Sequence, residues 1–419
     1  MVSNPPNEFV AGNGLLSRRR LLGGVAGVAG AAMISPAFGN EPKQAMELWR
    51  QQSGLPASAY GDPARRLQRE QLNLHPFGAA AGSSSTPLQH LNGTLTPNSL
   101  HFERHHSGIP DIDPAQHSLT VFGDVERALT FSYESLLRYP LVSRTWFLEC
   151  SGNSFRNTLG QPADMTAGEL NGLISCAEWT GIPLGVLLEE CGLKPSATWL
   201  VAEGADAAGM NRSVPLSLAM DNALVALYQN GEPLRPAQGY PVRLLVPGCE
   251  GNISIKWLRS IKLTDEPAHT REETSKYTDL YRNGHAEQFS LRMEVKSVIT
   301  SPSGKMTLPE NGVYQVSGLA WSGGGGIRRV EVSADGGNSW AEADIQSEPG
   351  EFRPVRFRIP WQWSGQPAVL MSRATDTQGQ VQPTRAPALQ GVAPGFSYHY
   401  NGMQSWQVDE QGRVRNVYV

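Results

Sequence analysis

The chain has 419 residues and is long enough to bury two separate hydrophobic cores. Hydrophobic residues make up 40% of the sequence and charged residues 18%, which is typical of an ordinary globular protein. The formal net charge of −4 argues against nucleic acid as the main partner, because binding to a phosphate backbone requires an excess of basic side chains.

The first 39 residues have the three parts of an export signal. Residues 17–20 read Ser-Arg-Arg-Arg, and they precede an apolar Gly/Ala-rich run at 23–34 and small residues at 35–39. This order predicts a signal peptide over residues 1–39, and the paired arginines are typical of the twin-arginine route, which exports folded proteins. A membrane helix is the alternative, but the run is shorter than the roughly 20 residues that a span needs. We therefore expect a periplasmic protein with no integral membrane segment after processing.

Four cysteines follow this segment, namely Cys150, Cys176, Cys191 and Cys249. Their spacing matches neither a CxxC metal motif nor the CxxCH sequence that attaches a c-type haem. We therefore expect no haem on this chain. Four cysteines allow three complete disulfide pairings in an oxidising compartment, and the sequence does not choose among them.

Composition divides the remainder into three parts. Residues 40–100 are rich in Gly, Pro, Ser and Asn and predict an irregular arm. Residues 101–291 predict an α+β domain, because short strand patterns alternate with helical ones without a strict βαβ rhythm. The clearest patterns there are strands at 118–122, 145–148 and 242–246 and a helix at 184–190 that ends before Gly192.

Residues 292–419 have a different character. Strand patterns at 313–316, 327–332, 355–359 and 368–373 alternate apolar with polar side chains and are separated by turn signals. Several short strands with this spacing predict an immunoglobulin-like β-sandwich. The run of four glycines at 323–326 predicts a loop.

Residues 145–155 contain the first candidate site. The predicted strand leads directly into Cys150, Ser151, Gly152 and Asn153, and the glycine lets the backbone approach a neighbour closely. A cysteine at such a strand end is well placed as a nucleophile or as a ligand of a soft metal. A buried free cysteine is the alternative, and this segment alone does not decide between them.

Basic residues in two other segments indicate an anion site. Arg243 lies in an apolar strand pattern, where an unpaired guanidinium is costly, so it requires a carboxylate or a phosphate. Lys256 follows a Gly-rich turn and either adds a second positive charge or is a solvated lysine on an edge strand. Arg104, His105 and His106 predict the wall of an anion pocket. A surface loop is the alternative, and two adjacent histidines are poor zinc ligands without a third.

Taken in order, these segments resemble the molybdopterin domain of the sulfite oxidase family from about Leu100 to Tyr281, and the likeness continues through the C-terminal domain. Cys150-Ser-Gly-Asn matches the family motif whose cysteine ligates molybdenum. The other matching segments are 241–243 (Pro-Val-Arg), 246–248 (Val-Pro-Gly), 254–258 (Ser-Ile-Lys-Trp-Leu), 320–325 (Ala-Trp-Ser-Gly-Gly-Gly) and 335–340 (Asp-Gly-Gly-Asn-Ser-Trp).

The resemblance implies roles for the matched residues and a molybdenum–molybdopterin cofactor. Cys150 is the expected metal ligand. The expected cofactor contacts are His105, His106, Ser151, Gly152, Arg212, Arg243, Ser254 and Lys256. Arg104 is expected to stabilise negative charge during oxo transfer, and Tyr277 to hydrogen-bond near the oxo group, unless Tyr277 is an exposed loop residue.

Three positions depart from the sulfite-oxidising members of the family. Ser154 and Phe155 stand where arginines are expected after the cysteine motif, and Gly326 replaces an expected basic residue. Free sulfite is a small dianion that favours clustered guanidinium groups, so these losses indicate a larger and less charged sulfur substrate. The pattern resembles the SoxC-type molybdenum subunit of sulfane dehydrogenases.

That likeness implies oxidation of sulfane sulfur bound to a cysteine of a carrier protein, with electrons passing to a SoxD-like c-type cytochrome subunit. It also implies a homodimer through the C-terminal domain, within a heterotetramer. A sulfite dehydrogenase with a cytochrome c acceptor is the nearest alternative. Nitrate reductases share the core but carry appended haem and flavin domains, for which this chain lacks room. A non-catalytic exported binding module is the alternative of a different class.

Overall fold

The computed structural model describes residues 9–17, 53, 70–78, 80–393 and 398–419. Most of the predicted signal peptide, and residues 40–52, 54–69 and 79 of the predicted arm, therefore lie outside the described residues. Within the described ranges, no helix combines the length and the apolar character that a membrane crossing requires.

The described residues form 26 β-strands and six short α-helices. The strands are β1 (Phe9–Ala11), β2 (Leu15–Leu16), β3 (Asn73–Pro76), β4 (Gly82–Ser85), β5 (Glu103–His105), β6 (Ser118–Gly123), β7 (Leu129–Ser132), β8 (Val142–Glu149), β9 (Ile174–Pro183), β10 (Trp199–Gly204), β11 (Asn211–Pro215), β12 (Leu224–Gln229), β13 (Glu232–Pro233), β14 (Arg243–Leu245), β15 (Leu258–Thr264), β16 (Thr278–Leu280), β17 (Ala286–Gln288), β18 (Lys296–Ser301), β19 (Gly312–Trp321), β20 (Ile327–Ser333), β21 (Ala341–Glu342), β22 (Asp344–Ile345), β23 (Val355–Trp363), β24 (Ala368–Asp376), β25 (Ser405–Val408) and β26 (Val414–Val417). The helices are α1 (Tyr133–Leu136), α2 (Ala167–Asn171), α3 (Leu184–Cys191), α4 (Leu216–Asn222), α5 (Arg271–Ser275) and α6 (Arg385–Ala388).

The first domain is built on two sheets with short helices between their strands, which confirms the predicted α+β class. One sheet has the order β11-β10-β15-β6-β7, and the other has the order β13-β12-β9-β8 with β14 paired to β12. Helix α3 forms where the helical pattern predicts it and buries its apolar face, and Gly192 ends it in the left-handed region with φ +72°.

The second domain is the predicted β-sandwich. One of its sheets has the order β1-β2-β23-β19-β18, and the other has the order β21-β20-β24-β25-β26. Trp321, Trp361 and Trp406 are fully buried between them. All four predicted sandwich strands form, and the 323–326 glycines lie in a loop. The hairpin β1-β2 comes from the N-terminal region, which the sequence pattern did not anticipate.

Strand β8, which leads into Cys150, packs against the sandwich, so the two domains share a core. Its apolar side chains belong to the same hydrophobic cluster as Trp321 and Trp361. The amide of Phe147 donates to the carbonyl of Phe352 at 3.0 Å across the boundary. The position of Cys150 therefore depends on both domains.

The predicted arm is less irregular than its composition indicated. Strands β3, β4 and β5 form a three-stranded antiparallel sheet, in which Ser83 is paired with Arg104 and Gly82 with His105. The serines of β4 are buried because backbone pairing satisfies their polar main chain. The arm thus holds the segment that carries Arg104 and His105.

Candidate active site at the end of strand β8

Cys150 lies directly after β8, and its side chain borders a cavity of about 60 Å³. A Cβ atom placed on Gly152 would meet only the Cys150 Sγ within 4 Å, so the space beside the thiol is open. Burial raises the pKa of the thiol, although the Gly152 amide and the charge of Arg104 oppose this shift. A thiolate here therefore needs a cation close by, which a bound metal would supply. All four cysteines are free thiols.

Arg243 lies in the wall of the same cavity and has no carboxylate partner among the described residues. Its Nη1 donates to the carbonyl of Gln238 at 3.0 Å and its Nη2 to the carbonyl of Ser254 at 2.9 Å, while Nε has no partner. Burial lowers the pKa of this guanidinium to about 9. Of the two partners that the sequence left open, a protein carboxylate is thus excluded within the described chain, and an anionic ligand remains.

Lys256 is a second cation on this wall and is half-buried, so it is not a solvated edge lysine. Its Nζ lies 2.8 Å from the His105 Nδ1 and donates to the carbonyls of Arg104 and Ala237 at 3.0 Å each. Burial, followed by repulsion from Arg243, lowers its pKa well below the usual value. These two cations and the Ser254 backbone together form a pocket that favours an anion.

Tyr277 and His106 form a hydrogen-bonded pair over the cavity. The Tyr277 hydroxyl lies 2.9 Å from the His106 Nε2, and Tyr277 is 8% exposed, so it is not an exposed loop residue. Burial, then the charges of Arg104 and Lys256, lower the pKa of His106 to about 3. Burial also raises the pKa of Tyr277 well above its ordinary value. Both groups are therefore neutral near pH 7.

Arg212 has a different environment from the other predicted cofactor contacts. Its Nη1 donates to Glu250 and its Nε to Glu273, at 3.0 Å each, and its guanidinium carbon lies 4.8 Å from the centre of the Tyr277 ring. It does not line the 60 Å³ cavity. In this structure Arg212 packs on the ring of Tyr277 and does not contact the small cavity. Its Nη2 is buried without a hydrogen-bond partner.

Two larger cavities share Arg104 and Tyr277 with the small one, and Cys150 lines the first of them. One, of about 240 Å³, is lined by Cys150, Ser151, Arg104, Arg156 and Tyr398, among others. Phe155, at one position of an expected arginine, lies on its wall with 42% exposure and has the Arg156 guanidinium 5.3 Å above its ring.

The second cavity, of about 530 Å³, is lined by Arg104, Arg271 and Lys276. Ser154 is buried and donates to Asn171 at 2.6 Å, so its side chain serves the fold. Gly326 lies on the wall of neither cavity. Arg156 therefore lines the same cavity as Cys150, one residue after the second position where an arginine was expected.

These features fit a metal cofactor in which an organic molecule supplies most of the metal ligands and also has an anionic group. In the described part of the chain, no cluster of three or more His, Cys, Asp or Glu side chains could hold a metal alone. Cys150 is one soft ligand, and Arg243, whose Nε has no partner, lines the same cavity. A molybdenum–pterin group, with sulfur donors and a phosphate, has this combination of properties.

Comparison with known proteins agrees with this fit. Residues 106–272 match the model of the oxidoreductase molybdopterin binding domain, and residues 287–399 match that of the Mo-co oxidoreductase dimerisation domain. The crystal structure of the sulfane dehydrogenase SoxCD from Paracoccus pantotrophus superposes with a TM-score of 0.87 and 39% identity, over 91% of this chain and 100% of that chain. The chain belongs to the sulfite oxidase family of molybdenum enzymes.

Curated members of the family are also similar. Mitochondrial sulfite oxidase of Mus musculus is 32% identical over 359 residues, which cover 79% of this chain. The match spans 65% of the mouse protein, somewhat less than two thirds of its length. Nitrate reductase [NADH] 1 of Arabidopsis thaliana is 32% identical over 354 residues, covering 74% of this chain and 38% of that protein.

Sequence reasoning missed several residues that hold the site in this family member. Glu149 is fully buried next to Cys150 and contacts Lys296 and Trp321 of the sandwich. His399 binds Glu250 at 3.0 Å, and its backbone amide donates to the carbonyl of Ser151. A charge at the end of an apolar strand was a usable signal for Glu149. The sequence contains no comparable signal for His399, because its partners are distant in sequence.

Proposed function

We propose that this protein is a molybdopterin-dependent sulfane dehydrogenase subunit that works in the periplasm. Its substrate would be sulfane sulfur on a cysteine of a carrier protein, and its electrons would pass to a c-type cytochrome subunit. The observation that carries the proposal is the position of Cys150. The thiol lines a small cavity and a wider one of about 240 Å³. The small cavity contains the buried Arg243 and the half-buried Lys256, neither of which has a carboxylate partner among the described residues.

The small cavity would hold the cofactor. Cys150 would bind the metal, while Arg243 and Lys256 would bind the anionic end of the pterin group, which would give the unpartnered Arg243 Nε a charged partner. When bound, the group supplies a centre for two-electron oxo transfer. Arg104 would stabilise negative charge on the sulfur substrate. Tyr277 would donate or hold a hydrogen bond beside the reacting atoms, with its orientation set by His106.

The wider cavities would receive the substrate. Arg104 and Arg156 on the 240 Å³ cavity, and Arg271 and Lys276 on the 530 Å³ cavity, favour an anionic sulfur group. Phe77 is 60% exposed on the rim and lies 5.3 Å from the Arg104 guanidinium. An exposed aromatic ring beside a basic path suits a carrier protein that inserts a reactive arm. The name of the structural neighbour, a sulfane dehydrogenase, supports this substrate class.

A homodimer through the sandwich, within a heterotetramer, completes the proposal. It is supported by the match of residues 287–399 to a dimerisation domain and by the two-component name of the SoxCD neighbour. A sulfite dehydrogenase is the second candidate. The 32% identity to a sulfite oxidase and the presence of both Arg104 and Arg156 beside Cys150 favour it.

One set of assays tests the proposal. The protein purified from its native periplasm should contain about one molybdenum and one pterin per chain. It should reduce cytochrome c faster with a persulfide-bearing carrier protein than with free sulfite. Cys150→Ser should abolish turnover, whereas Cys176→Ser, at a buried free cysteine of the neighbouring strand β9, should not. Faster oxidation of free sulfite would instead establish the second candidate, and absence of molybdenum would contradict both.

A further inference from the structure

Of the described residues, three line both of the wider cavities, namely Arg104, Tyr277 and Tyr398. Arg104 and Tyr277 are the two residues that the sequence predicted beside the reacting atoms. Tyr398 was not predicted, although it lies at the same junction and its ring centre is 5.4 Å from that of Tyr277. Cys150 also lines the 240 Å³ cavity. Tyr398 therefore shares a cavity with the proposed metal ligand and with both residues assigned to the chemistry.

The Tyr398 hydroxyl is a hydrogen-bond donor that the described part of the protein does not use. The Tyr277 hydroxyl, by comparison, lies 2.9 Å from the His106 Nε2. No hydrogen bond joins the Tyr398 hydroxyl to another residue in the described ranges. Burial is the largest cause that raises the pKa of Tyr398 to about 12, so the group is a neutral donor at pH 7. Because Tyr398 is only partly buried, its hydroxyl is open to a ligand.

The backbone next to Tyr398 is fixed by the contacts of His399. This histidine has φ +58°, in the left-handed region that a non-glycine residue adopts only at a cost. Its amide donates to the carbonyl of Ser151 at 3.0 Å, and its ring nitrogens lie 3.0 Å from Glu250 and 3.2 Å from Glu294. These contacts hold the strained residue in place. Tyr398 is therefore attached at a fixed point to the loop that carries the proposed metal ligand.

The two tyrosines on either side of His399 lie in different surroundings. Tyr398 lines the wider cavities, whereas Tyr400 is buried and lines a separate cavity of about 10 Å³ together with Asn157 and Arg385. Tyr398 also falls within residues 287–399, which match the dimerisation domain. The dimerisation domain therefore contributes a side chain to the candidate active site.

We propose that Tyr398 is a substrate-binding residue whose hydroxyl donates a hydrogen bond to the anionic sulfur group of the substrate. Arg104 supplies a positive charge at the same junction, and a neutral donor beside it adds a charge-assisted hydrogen bond to an anion. The inference rests on the proposed function, because it assumes that the wider cavities receive the substrate. It goes further in giving the dimerisation domain a direct part in substrate recognition.

Steady-state kinetics of the full-length holoenzyme, with rates expressed per bound molybdenum, tests the role of this hydroxyl. Tyr398→Phe keeps the ring and should raise KM about tenfold or more, because a hydrogen bond to a charged group is lost. kcat should be nearly unchanged, because the bond is present before and during the reaction. Tyr400→Phe is the matched control on the same segment, since Tyr400 lines neither wider cavity, and it should keep the wild-type KM. An unchanged KM in Tyr398→Phe would overturn the proposal, whatever the change in kcat.

This inference and the proposed function can fail separately. Wild-type turnover of a persulfide-bearing carrier protein or of free sulfite decides the substrate, and the ratio of KM values for that substrate decides the role of Tyr398. If the wild type oxidised neither, the proposed function would fail, and calorimetric titration of the full-length protein with sulfate would measure anion affinity directly. Weaker sulfate binding by Tyr398→Phe than by the wild type and Tyr400→Phe would support the role of Tyr398. Equal affinity in all three proteins would overturn it.

Discussion

The indole nitrogen of Trp321 donates a hydrogen bond of 2.6 Å to the carboxylate of Glu149, across the boundary between the two domains. Lys296 binds the other carboxylate oxygen at 3.1 Å, and Asn153 binds the same oxygen as Lys296 at 2.8 Å. Glu149 directly precedes Cys150. The sandwich therefore fixes the backbone of the proposed metal ligand, in addition to any role in assembly.

Removal of Lys296 should destabilise the protein strongly. Lys296→Met would leave the buried Glu149 charge with its hydrogen bonds but without a counter-ion, and breaking a buried pair from one side costs about 3–5 kcal/mol. We expect a clear fall in the urea midpoint of unfolding. The double variant Glu149→Gln/Lys296→Met removes both charges, so its urea midpoint should fall much less.

Lys305→Met is the control for that series, because the Lys305–Glu169 pair is partly exposed and surface pairs contribute little. Its midpoint should change only slightly. If Lys296→Met unfolded at the wild-type midpoint, the buried pair would not be structurally important, and the argument that the sandwich fixes Cys150 would fail.

The sequence was sufficient where the signal was local. The strand that ends just before Cys150, the buried position of Arg243 and the sandwich strands all follow from apolar periodicity over a few residues. It was insufficient where a partner lies far along the chain. Periodicity shows that a side chain is buried but not what it meets, so the contacts of Arg212 with Glu250 and Glu273 were not predictable.

The N-terminal hairpin shows the same limitation. Leu15 and Trp361 are adjacent in the sheet but more than 300 residues apart in sequence. Nothing in the local sequence around either residue indicates this contact. Likewise, the Ser- and Gly-rich composition of 82–85 argued for irregular structure, yet these residues form β4 because β3 and β5 satisfy their backbone. Tertiary pairing overrode local propensity in both places.

Replacement of Arg243 should separate cofactor retention from fold stability. Arg243→Met removes a buried cation that has no carboxylate partner among the described residues, so the cofactor-free protein should be as stable as the wild type or more so. Loss of one charge-assisted contact to the anionic group should lower pterin content at least tenfold after dialysis. Pterin fluorescence and urea unfolding measure the two effects.

Arg235→Met is the matched control, since Arg235 is half-exposed and pairs with Glu232 on the surface. It should retain the cofactor. If Arg243→Met kept a full complement of pterin, this guanidinium would not bind the cofactor, and the assignment of the small cavity would need another anion.

His399 should make stability depend on pH. Burial alone would lower its pKa, but hydrogen bonds and charge interactions with Glu250 and Glu294 outweigh burial and hold the pKa well above 6.5. Arg212 also contacts Glu250, and Asp279 is close enough to feel the His399 charge. Because the folded pKa is raised, the stabilisation is fully present below about pH 6.5 and is lost as pH rises through the folded value.

The measurement is the difference in urea midpoint between the wild type and His399→Gln across pH. We expect the largest difference at pH 6 and a steady decrease above it. His90→Gln, at an exposed surface histidine, is the control for the loss of an imidazole. A difference that grew as the pH rose would mean that His399 is neutral in the folded protein.

Tyr277→Phe should impair turnover without loss of the cofactor. The substitution keeps the ring on which Arg212 packs, and it removes the hydroxyl that pairs with His106 at 2.9 Å. Loss of one positioned hydrogen-bond donor typically lowers kcat by about 10²–10³-fold. Tyr139→Phe is the control, because its hydroxyl binds Glu190 and Tyr139 lines none of the three cavities. Because the pKa of His106 is about 3 and that of Tyr277 lies well above 10, neither group titrates between pH 5 and 9, and the defect should be constant over that range.

Wild-type kcat in Tyr277→Phe would show that this hydroxyl does not act on the substrate, whereas loss of molybdenum would show that it holds the cofactor instead.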